Sequence, residues 1–289
     1  MSLSNFTPAV WSGEILIALD TAHRYAAPGV VNRDYEGEIS GEGDRVKINS
    51  VGDVTISDYV KNTDINSPEE LQSAQQELII DQAKYFNFAV DDVDAVQNNV
   101  PVMQEAMRRA AYGLRDSADV FMSGLMSAAA VAGSNKIGTV GTPKTDLGTA
   151  GNAYEYLVDL SVELDENDTP EDGRWVIVPP WFHGLLVKDD RFTNYGTDQN
   201  RNTLANGMVG AAAGFTVYKS NKAPETSANT GVRVLAGHPM AVSYAEQIVS
   251  VEALRPELRF ADAVKGLHVY GGKVIRPANL AVLIANRPS

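Results

Sequence analysis

The chain has 289 residues, of which 44% are hydrophobic and 21% charged, and this composition is that of a folded protein rather than a disordered one. It contains no cysteine, which excludes a disulfide framework, a thiolate metal site and a cysteine nucleophile. The net charge of −13 argues against a dedicated nucleic-acid binder, because such proteins neutralise phosphates with clustered Lys and Arg.

Residues 1–33 show little hydrophobic periodicity and predict an extended arm, with a short helical turn between Ser12 and Arg24. We expect such an arm to lie on another surface, in the same subunit or in a neighbour. The chain begins without the basic segment, apolar run and small-residue cleavage site of a signal peptide, so secretion is not expected.

The next segment predicts a long β-ribbon, because its apolar and polar residues alternate with a period of two. Residues 46–49 and 54–57 predict a hairpin around a turn at 50–53, and residues 77–90 predict a further strand. The side chains expected on one face of that strand are Leu78, Ile80, Phe86, Phe88 and Val90. A two-stranded ribbon is marginally stable by itself, so we expect it to find its partner surface on sister molecules.

A long amphipathic helix is predicted over residues 101–132, and we expect the rest of the chain to be organised around it. Its apolar residues recur at steps of three and four, which places them on one stripe of a helix. These residues are Met103, Met107, Ala110, Leu114, Ala118, Phe121 and Leu125. Pro101 suits the first turn and Gly133 suits the end, whereas Gly113 and Gly124 weaken the helix locally. Its charged residues exclude a membrane span.

The second half of the chain predicts helices mixed with short strands. Residues 152–164 predict a second amphipathic helix, residues 165–173 an acidic turn, and residues 174–178 a buried central strand. A helix is expected over 181–187 and an exposed loop over 189–212. The remaining strands are predicted at residues 215–218, 232–236, 241–252, 267–270 and 280–284, with Gly271-Gly272 interrupting the last two.

No recognisable catalytic or metal-binding motif is present in the sequence. The histidines His23, His183, His238 and His268 are widely separated, and none belongs to an HExxH or HxH pattern. There is no GxSxG nucleophile elbow. The acidic residues of 165–173 lack the spacing of a calcium loop, which favours a simple turn. We therefore assign no catalytic residue, no metal and no cofactor.

Charge is distributed unevenly along the chain. Residues 34–81 hold twelve Asp or Glu against three Lys or Arg, whereas residues 252–289 hold three against six. One interpretation is a solvated acidic face and a mildly basic tail, and the other is complementarity between copies of the same chain.

Two passages, together with the order of the elements, resemble the major capsid (coat) proteins of tailed bacteriophages, of the podovirus coat-protein type. One passage runs from Leu164 to Pro180 and contains GRWVIVPP, and the other is AGHPMAV, from Ala236 to Val242 directly after a predicted strand. The resemblance covers nearly the whole chain. It implies an α+β fold, the Hong Kong 97-like capsid fold, with an arm, an extended loop, a spine helix and two lobes.

The resemblance also implies how the chain is divided. Residues 1–34 would form the N-terminal arm, and residues 35–92 the extended β-hairpin loop. Residues 93–149 and 251–289 would form the peripheral lobe with the spine helix, and residues 150–250 the axial lobe.

The function implied is that of a structural protein, not an enzyme, which self-assembles into hexamers and pentamers of an icosahedral capsid around double-stranded DNA. Assembly would take place in the bacterial host cytoplasm. The chain starts at the arm, without a helical leader, so a separate scaffolding protein is expected, with a portal and, as a further candidate, a decoration protein. Packaged DNA would be contacted weakly and without sequence specificity. No membrane partner is expected.

Assembly would depend on contacts between neighbouring copies, and the charge asymmetry suggests which residues take part. The acidic candidates are Glu36, Glu42, Asp44, Glu69 and Glu70, and the basic candidates are Arg108, Arg109, Lys273 and Arg276. Some capsid proteins also join a loop lysine to a neighbour's asparagine, and Lys61 and Asn279 lie in suitable segments. The alternative function is a soluble α/β enzyme with an unrecognised active site, which would need a pocket with converging polar groups.

Overall fold

The computed structural model describes most of the chain and all of the main predicted elements of its second half. The described residues are 24–35, 45–51, 58, 61, 73–91, 102–148, 152–189, 210–227, 231–255 and 261–288. Within them the α-helices are α1 (Val102–Ala132), α2 (Asn152–Asp165) and α3 (Pro180–Lys188). The first strands are β1 (Arg45–Val51), β2 (Ser73–Ile79), β3 (Gln82–Asp91), β4 (Lys136–Ile137), β5 (Trp175–Val178) and β6 (Ala211–Ala212). The others are β7 (Phe215–Lys219), β8 (Val232–Gly237), β9 (Val242–Leu254), β10 (Ala261–Val274) and β11 (Leu280–Ala285).

The long helix is confirmed, and α1 runs for 31 residues, from Val102 to Ala132. At 1.5 Å per residue it is about 46 Å long. The buried stripe differs from the prediction in its second half. Leu114 and Ala118 are buried as expected, but the stripe continues through Met122 and Met126, while Phe121 and Leu125 pack at its margin. A straight helix drifts against a fixed step of three or four residues, so the buried positions shift along its length.

A six-stranded sheet forms the larger core, with the strand order β4-β11-β8-β5-β7-β6. All four residues of β5 are buried, which confirms the predicted central strand. One face of the sheet packs against α2 and α3 through Val176, Val178 and Leu283. The other face packs against α1 through Trp175 and Ile284. Both faces are covered, which is why these strands are continuously apolar.

A second sheet of three antiparallel strands has the order β3-β10-β9. Its inner face packs on the first half of α1, where Phe86 and Val264 meet Leu114. The β1–β2 ribbon packs on its outer face. Ile48 of β1, and Ile80 directly after β2, are buried there together with apolar residues of this sheet. The expectation that the ribbon would find its burial only on sister molecules is therefore wrong for its base.

The predicted ribbon pairing is also corrected. β1 pairs antiparallel with β2, and Ile48 lies opposite Gln76; residues 54–57, the other half of the predicted hairpin, lie outside the described residues. The single strand expected over 77–90 is two strands in different sheets. The chain crosses between the two sheets at Ile80, where its backbone lies against Gly271 of β10.

Gly271 and Gly272 were expected to end a strand, and they lie instead inside β10. A Cβ atom on Gly271 would be 2.4 Å from the carbonyl oxygen of Ile79, and a Cβ atom on Gly272 would be 2.5 Å from the sulfur of Met122. Glycine is required here because the ribbon and α1 approach the two faces of the strand closely.

The other predicted helices and strands of the second half are confirmed. The exposed loop expected over 189–212 is wrong at its ends, because Asp189 is buried and Ala211–Ala212 forms β6, whereas residues 190–209 lie outside the described residues.

The acidic turn after α2 is closed by the buried Arg174, whose guanidinium donates to the carbonyl oxygen of Pro170 at 2.9 Å and pairs with Asp165 at 2.6 Å. Its left-handed positions are Asp168 and Gly173, with φ of 51° and 83°. The segment is therefore a turn fixed to its own subunit.

The six-stranded sheet takes strands from more than one of the predicted parts of the chain. β5, β7 and β8 come from residues 150–250, but β11 comes from residues 251–289 and β4 precedes residue 150. The division into axial and peripheral lobes stays a prediction.

Candidate assembly surfaces

The predicted acidic interface residues cannot be placed against the basic ones. Glu36, Glu42, Asp44, Glu69 and Glu70 all lie outside the described residues. The charge-pairing hypothesis therefore stays a prediction.

The predicted basic residues are all described and all exposed, and so is Lys61. They form two separate patches. Arg108 and Arg109 follow Met107, which packs near Val264 at one end of β10. Lys273 lies at the other end of the same strand, nine residues and about 30 Å further on, with Arg276 just beyond. The structure therefore separates the basic candidates into two surfaces, which two different neighbours could contact.

Asn279 is 9% exposed, and its side-chain amide donates to the hydroxyl of Thr169 at 3.1 Å. A lysine of a neighbour could reach this amide only if the surrounding turn moved. The pairing of Lys61 with Asn279, which the resemblance implied, has no support in this geometry.

The base of the predicted arm is held tightly by its own subunit. We call residues 24–35 the arm-root strap. Four of its side chains are buried with at most 1% exposure: Tyr25, Ala26, Val30 and Val31. They pack in the core that α1 shares with the six-stranded sheet. Because these apolar contacts are within one chain, residues 24–35 are fixed on their own subunit.

Asp119 of α1 holds the first turn of the strap. Its carboxylate accepts hydrogen bonds from three consecutive backbone amides, at 3.0 Å from Arg24, 3.1 Å from Tyr25 and 3.3 Å from Ala26. Asp119 is only 3% exposed. A buried carboxylate that accepts several backbone N–H groups is a strong, charge-assisted anchor.

The last turn of the strap is held by β9. The amide of Asn32 donates to the carbonyl of Val242, and the amide of Tyr244 donates to the carbonyl of Asn32, both at 2.9 Å. The guanidinium of Arg33 pairs with Glu246, whose side chain is 1% exposed. The strap therefore ends on a short parallel bridge and a buried ion pair.

Glu246 also accepts hydrogen bonds within the three-stranded sheet. The hydroxyl of Tyr244 donates to its Oε2 at 2.7 Å, and Nε2 of His268 donates to the same oxygen at 3.1 Å. Burial, and then the neighbouring Glu246, raise the pKa of Tyr244 well above its usual value. Arg33, Tyr244 and His268 together satisfy a carboxylate that would otherwise be costly to bury.

His238 holds together the turns of its own subunit. Its Nδ1 accepts the amide of Met240 at 3.2 Å and its Nε2 donates to the carbonyl of Asp172 at 2.9 Å. Burial, and then Lys219, lower the pKa of His183. His23 lies outside the described residues.

The residues that sequence reasoning missed are Asp119, Glu246 and His268. One feature of the sequence could have indicated Asp119, since it places a carboxylate directly beside the apolar stripe of a long helix. Glu246 and His268 are separated by 22 residues and meet only because β9 and β10 are neighbours in the sheet. No spacing rule within one segment predicts that meeting.

In the described ranges, no group of three or more His, Asp or Glu side chains is placed to hold a metal ion. Among the helices that the structure describes, none combines the length and the apolar character needed to span a bilayer.

Comparison with known proteins identifies the class to which this fold belongs. The profile of the phage capsid protein family matches residues 75–283, which include both sheets and α1. The chain belongs to the phage capsid protein family. Its role is accordingly structural, and its fold is the Hong Kong 97-like capsid fold.

Solved structures show the same similarity. A chain from Mycobacterium phage Che8 is 30% identical, with a TM-score of 0.66 and 88% of each chain covered. A chain from the capsid of Cyanophage P-SCSP1u is 20% identical, with a TM-score of 0.68, covering 87% of this chain and 85% of that one. A virus-like particle from Pyrococcus furiosus shares the fold at 14% identity and a TM-score of 0.53, covering 95% of this chain and 98% of that one. The comparison with curated proteins gives no match.

Proposed function

We propose that this protein forms hexamers and pentamers that close into an icosahedral shell around double-stranded DNA. The observation that carries the proposal is the family match over residues 75–283, which spans both sheets and the long helix between them. Each subunit makes several individually weak contacts, which become stable together because neighbouring contacts raise the effective concentration. Closed symmetry then converts identical chains into rings and a shell.

In this proposal the arm (1–34) and the extended loop (35–92) reach neighbouring subunits with their outer parts, while the strap and β3 stay on their own subunit. The peripheral lobe (93–149 and 251–289) and the axial lobe (150–250) form the body. Support comes from the base of each extension, which its own subunit holds at a fixed place, as the strap at 24–35 and the ribbon base at Ile80 show. Because the arm and the extended loop are each fixed at the base, each is directed towards one defined neighbouring subunit.

Electron microscopy of the purified protein tests assembly directly. Shells or hexamer-like rings at raised protein concentration are the expected result. Dispersed single subunits under all conditions, including co-expression with the phage's other capsid-assembly proteins, would contradict the proposal.

Acidic ribbon residues are proposed to meet the basic patches of neighbours. Reversing Glu69 and Glu70 to lysine should lower the assembled fraction at low salt about tenfold, because attractive contacts become repulsive. The measurement is light scattering against salt concentration. Combining the reversal with R108E/R109E should restore assembly.

The matched control is E171K/D172K, which changes the net charge equally on the exposed acidic turn. It should assemble as the natural chain does. If the Glu69 and Glu70 reversal behaves like this control, the ribbon contact is not electrostatic.

The remaining parts of the proposal concern partners and place. A separate scaffolding protein, a portal and a decoration protein are proposed, with assembly in the host cytoplasm. The net charge of −13 supports weak, non-specific contact with packaged DNA, because repulsion lets the genome move. A tight and salt-sensitive affinity of the free subunit for DNA, measured by gel shift, would overturn this part.

A further inference from the structure

The arm-root strap lies across the junction between the two sheets. The chain leaves the six-stranded sheet at the turn Pro239–Ala241, between β8 and β9, and returns at the turn Pro277–Asn279, between β10 and β11. The two crossings lie side by side, since the amide of Ile275 donates to the carbonyl of Ala241 at 2.8 Å. The third crossing is α1, which joins β3 to β4 and packs on both sheets. Two short crossings beside one long helix form a narrow junction, which is where a hinge between two bodies is expected.

The strap contacts the structure on both sides of this junction. On the three-stranded sheet it pairs with the first residues of β9, through Asn32 and Arg33. On the six-stranded sheet it passes so close to β7 that a Cβ atom on Gly29 would lie 2.8 Å from the hydroxyl of Tyr218. Asp119 fastens it to α1, which packs on both sheets. The strap is therefore a non-covalent link between the two bodies, in addition to the three covalent crossings at 239–241, 277–279 and α1.

Both fastenings of the strap depend on buried carboxylates from different elements. Asp119 and Glu246 are 3% and 5% exposed. If the angle between the sheets changed while the strap stayed in place, Glu246 would move with β9 and Asp119 with α1. At least one buried carboxylate or its donors would then lose a partner, at the cost of an unsatisfied buried group.

We propose that the arm-root strap is a brace across this hinge, which couples the position of the N-terminal arm to the angle between the two sheets. The inference goes beyond the proposed assembly. A subunit that must fit rings of five and six needs more than one shape, and the brace makes the arm position change together with that shape. An arm bound by a neighbour would thereby bias the angle between the sheets.

Hydrogen exchange by mass spectrometry on the unassembled full chain tests the brace. The variants are R33Q, which releases the β9 end, and D119N, which releases the α1 end. R33Q is the milder change, since the side chain of Arg33 is 11% exposed. R33Q should raise exchange at least about tenfold at the amides of the distant residues 24–27 and of the hinge residues 240–242, as well as around Arg33 itself.

The double variant R33Q/D119N decides whether the strap acts as one unit. If it is a single brace, releasing the second end adds little, so the double variant should exchange no more than about twice as fast as the faster single variant. The control K265Q removes the exposed ion pair of Lys265 with Glu252 on the same sheet and should leave exchange at the hinge unchanged.

Exchange that rises only within 30–35 in R33Q, or single effects that multiply in the double variant, would overturn the brace. The hydrogen-exchange result does not depend on the proposed assembly function, because exchange is measured on single subunits. Wild-type chains that form no shells would overturn assembly and leave the brace supported or refuted by exchange alone.

Discussion

At the scale of single residues, the arm-root strap depends most directly on Asp119. Its carboxylate is the common acceptor for the three consecutive backbone amides of Arg24, Tyr25 and Ala26. An amide side chain could replace one acceptor oxygen, but its NH₂ group would then face N–H donors.

We therefore predict that D119N lowers the free energy of unfolding by about 2–3 kcal/mol, because charge-assisted bonds are lost and donors are left buried. Urea unfolding followed by circular dichroism measures the change. The control is D262N, at an exposed position of β10, which should change stability by less than about 0.5 kcal/mol. Equal effects of the two variants would show that Asp119 is not an anchor.

Glu246 differs from Asp119 in that its carboxylate pairs with a charged group, the guanidinium of Arg33. With E246Q, Arg33 keeps its charge in a largely buried place and loses the carboxylate of Glu246. We predict a loss of about 3 kcal/mol in the free energy of unfolding, because removing one partner of a buried ion pair costs more than the intact pair contributes.

The matched control for that prediction is E252Q on the same strand. Glu252 pairs with Lys265 at 2.8 Å, but both side chains are more than half exposed. Exposed pairs contribute little, so E252Q should cost less than about 0.5 kcal/mol. A thermal shift of E246Q no larger than that of E252Q would contradict the proposed role of Glu246.

At the scale of elements, β10 is packed closely on both faces at Gly271 and Gly272. G271A and G272A add the same methyl group to opposite faces of one strand. Gly271 faces the backbone of Ile79 and Ile80, which cannot move without shifting the ribbon, whereas Gly272 faces the flexible end of Met122.

We predict that G271A destabilises the chain by about 3 kcal/mol and G272A by about 1 kcal/mol, because overpacking costs more when the neighbour is backbone. Thermal unfolding of both variants measures the difference. G124A, in an open position of α1, should instead stabilise by about 0.5–1 kcal/mol. If G272A destabilised the chain more than G271A, close packing of the ribbon backbone on Gly271 would be contradicted.

At the scale of the whole molecule, buried tyrosine hydroxyls should make the free energy of unfolding decrease as the pH rises into the alkaline range. Burial raises the pKa of Tyr25, Tyr244 and Tyr270, with the carboxylates Asp119, Glu246 and Asp81 adding to it in that order. Burial and the hydrogen bond to Asp146 raise the pKa of Tyr156 to about 12. In the unfolded chain these groups would ionise near their ordinary value of about 10.

Because these pKa values are raised in the folded chain, the tyrosines lower the free energy of unfolding only at high pH. Below pH about 10 both states keep the phenol proton, so this contribution to stability is fully present. Above it the unfolded chain loses protons that the folded chain retains, and stability falls by up to about 1.4 kcal/mol per pH unit for each such tyrosine. Unfolding measured between pH 8 and 12 should show this decline, and Y156F should make it shallower. A flat profile over that range would contradict buried, protonated tyrosines.

Much of the second half of the chain could be predicted from its sequence. The apolar run before Pro179 is long enough for one strand and has no polar alternation, so burial on both faces was the only consistent interpretation, and β5 confirms it. The spacing of α1 likewise determined a helix, although its buried stripe turns towards Met122 and Met126 as it passes from one sheet to the other.

What only the tertiary structure decided was which distant segments meet. Periodicity describes one segment at a time, so it could neither pair β1 with β2 nor divide residues 77–90 between two sheets. Asp119, Glu246 and His268 resemble ordinary polar residues in the sequence. Asp119 and Glu246 became anchors because α1 and β9 bring them against the strap, and β10 brings His268 against Glu246. Burial makes each charge and donor there dependent on its partner. The local pattern therefore determined the elements, and long-range packing determined how the arm is held.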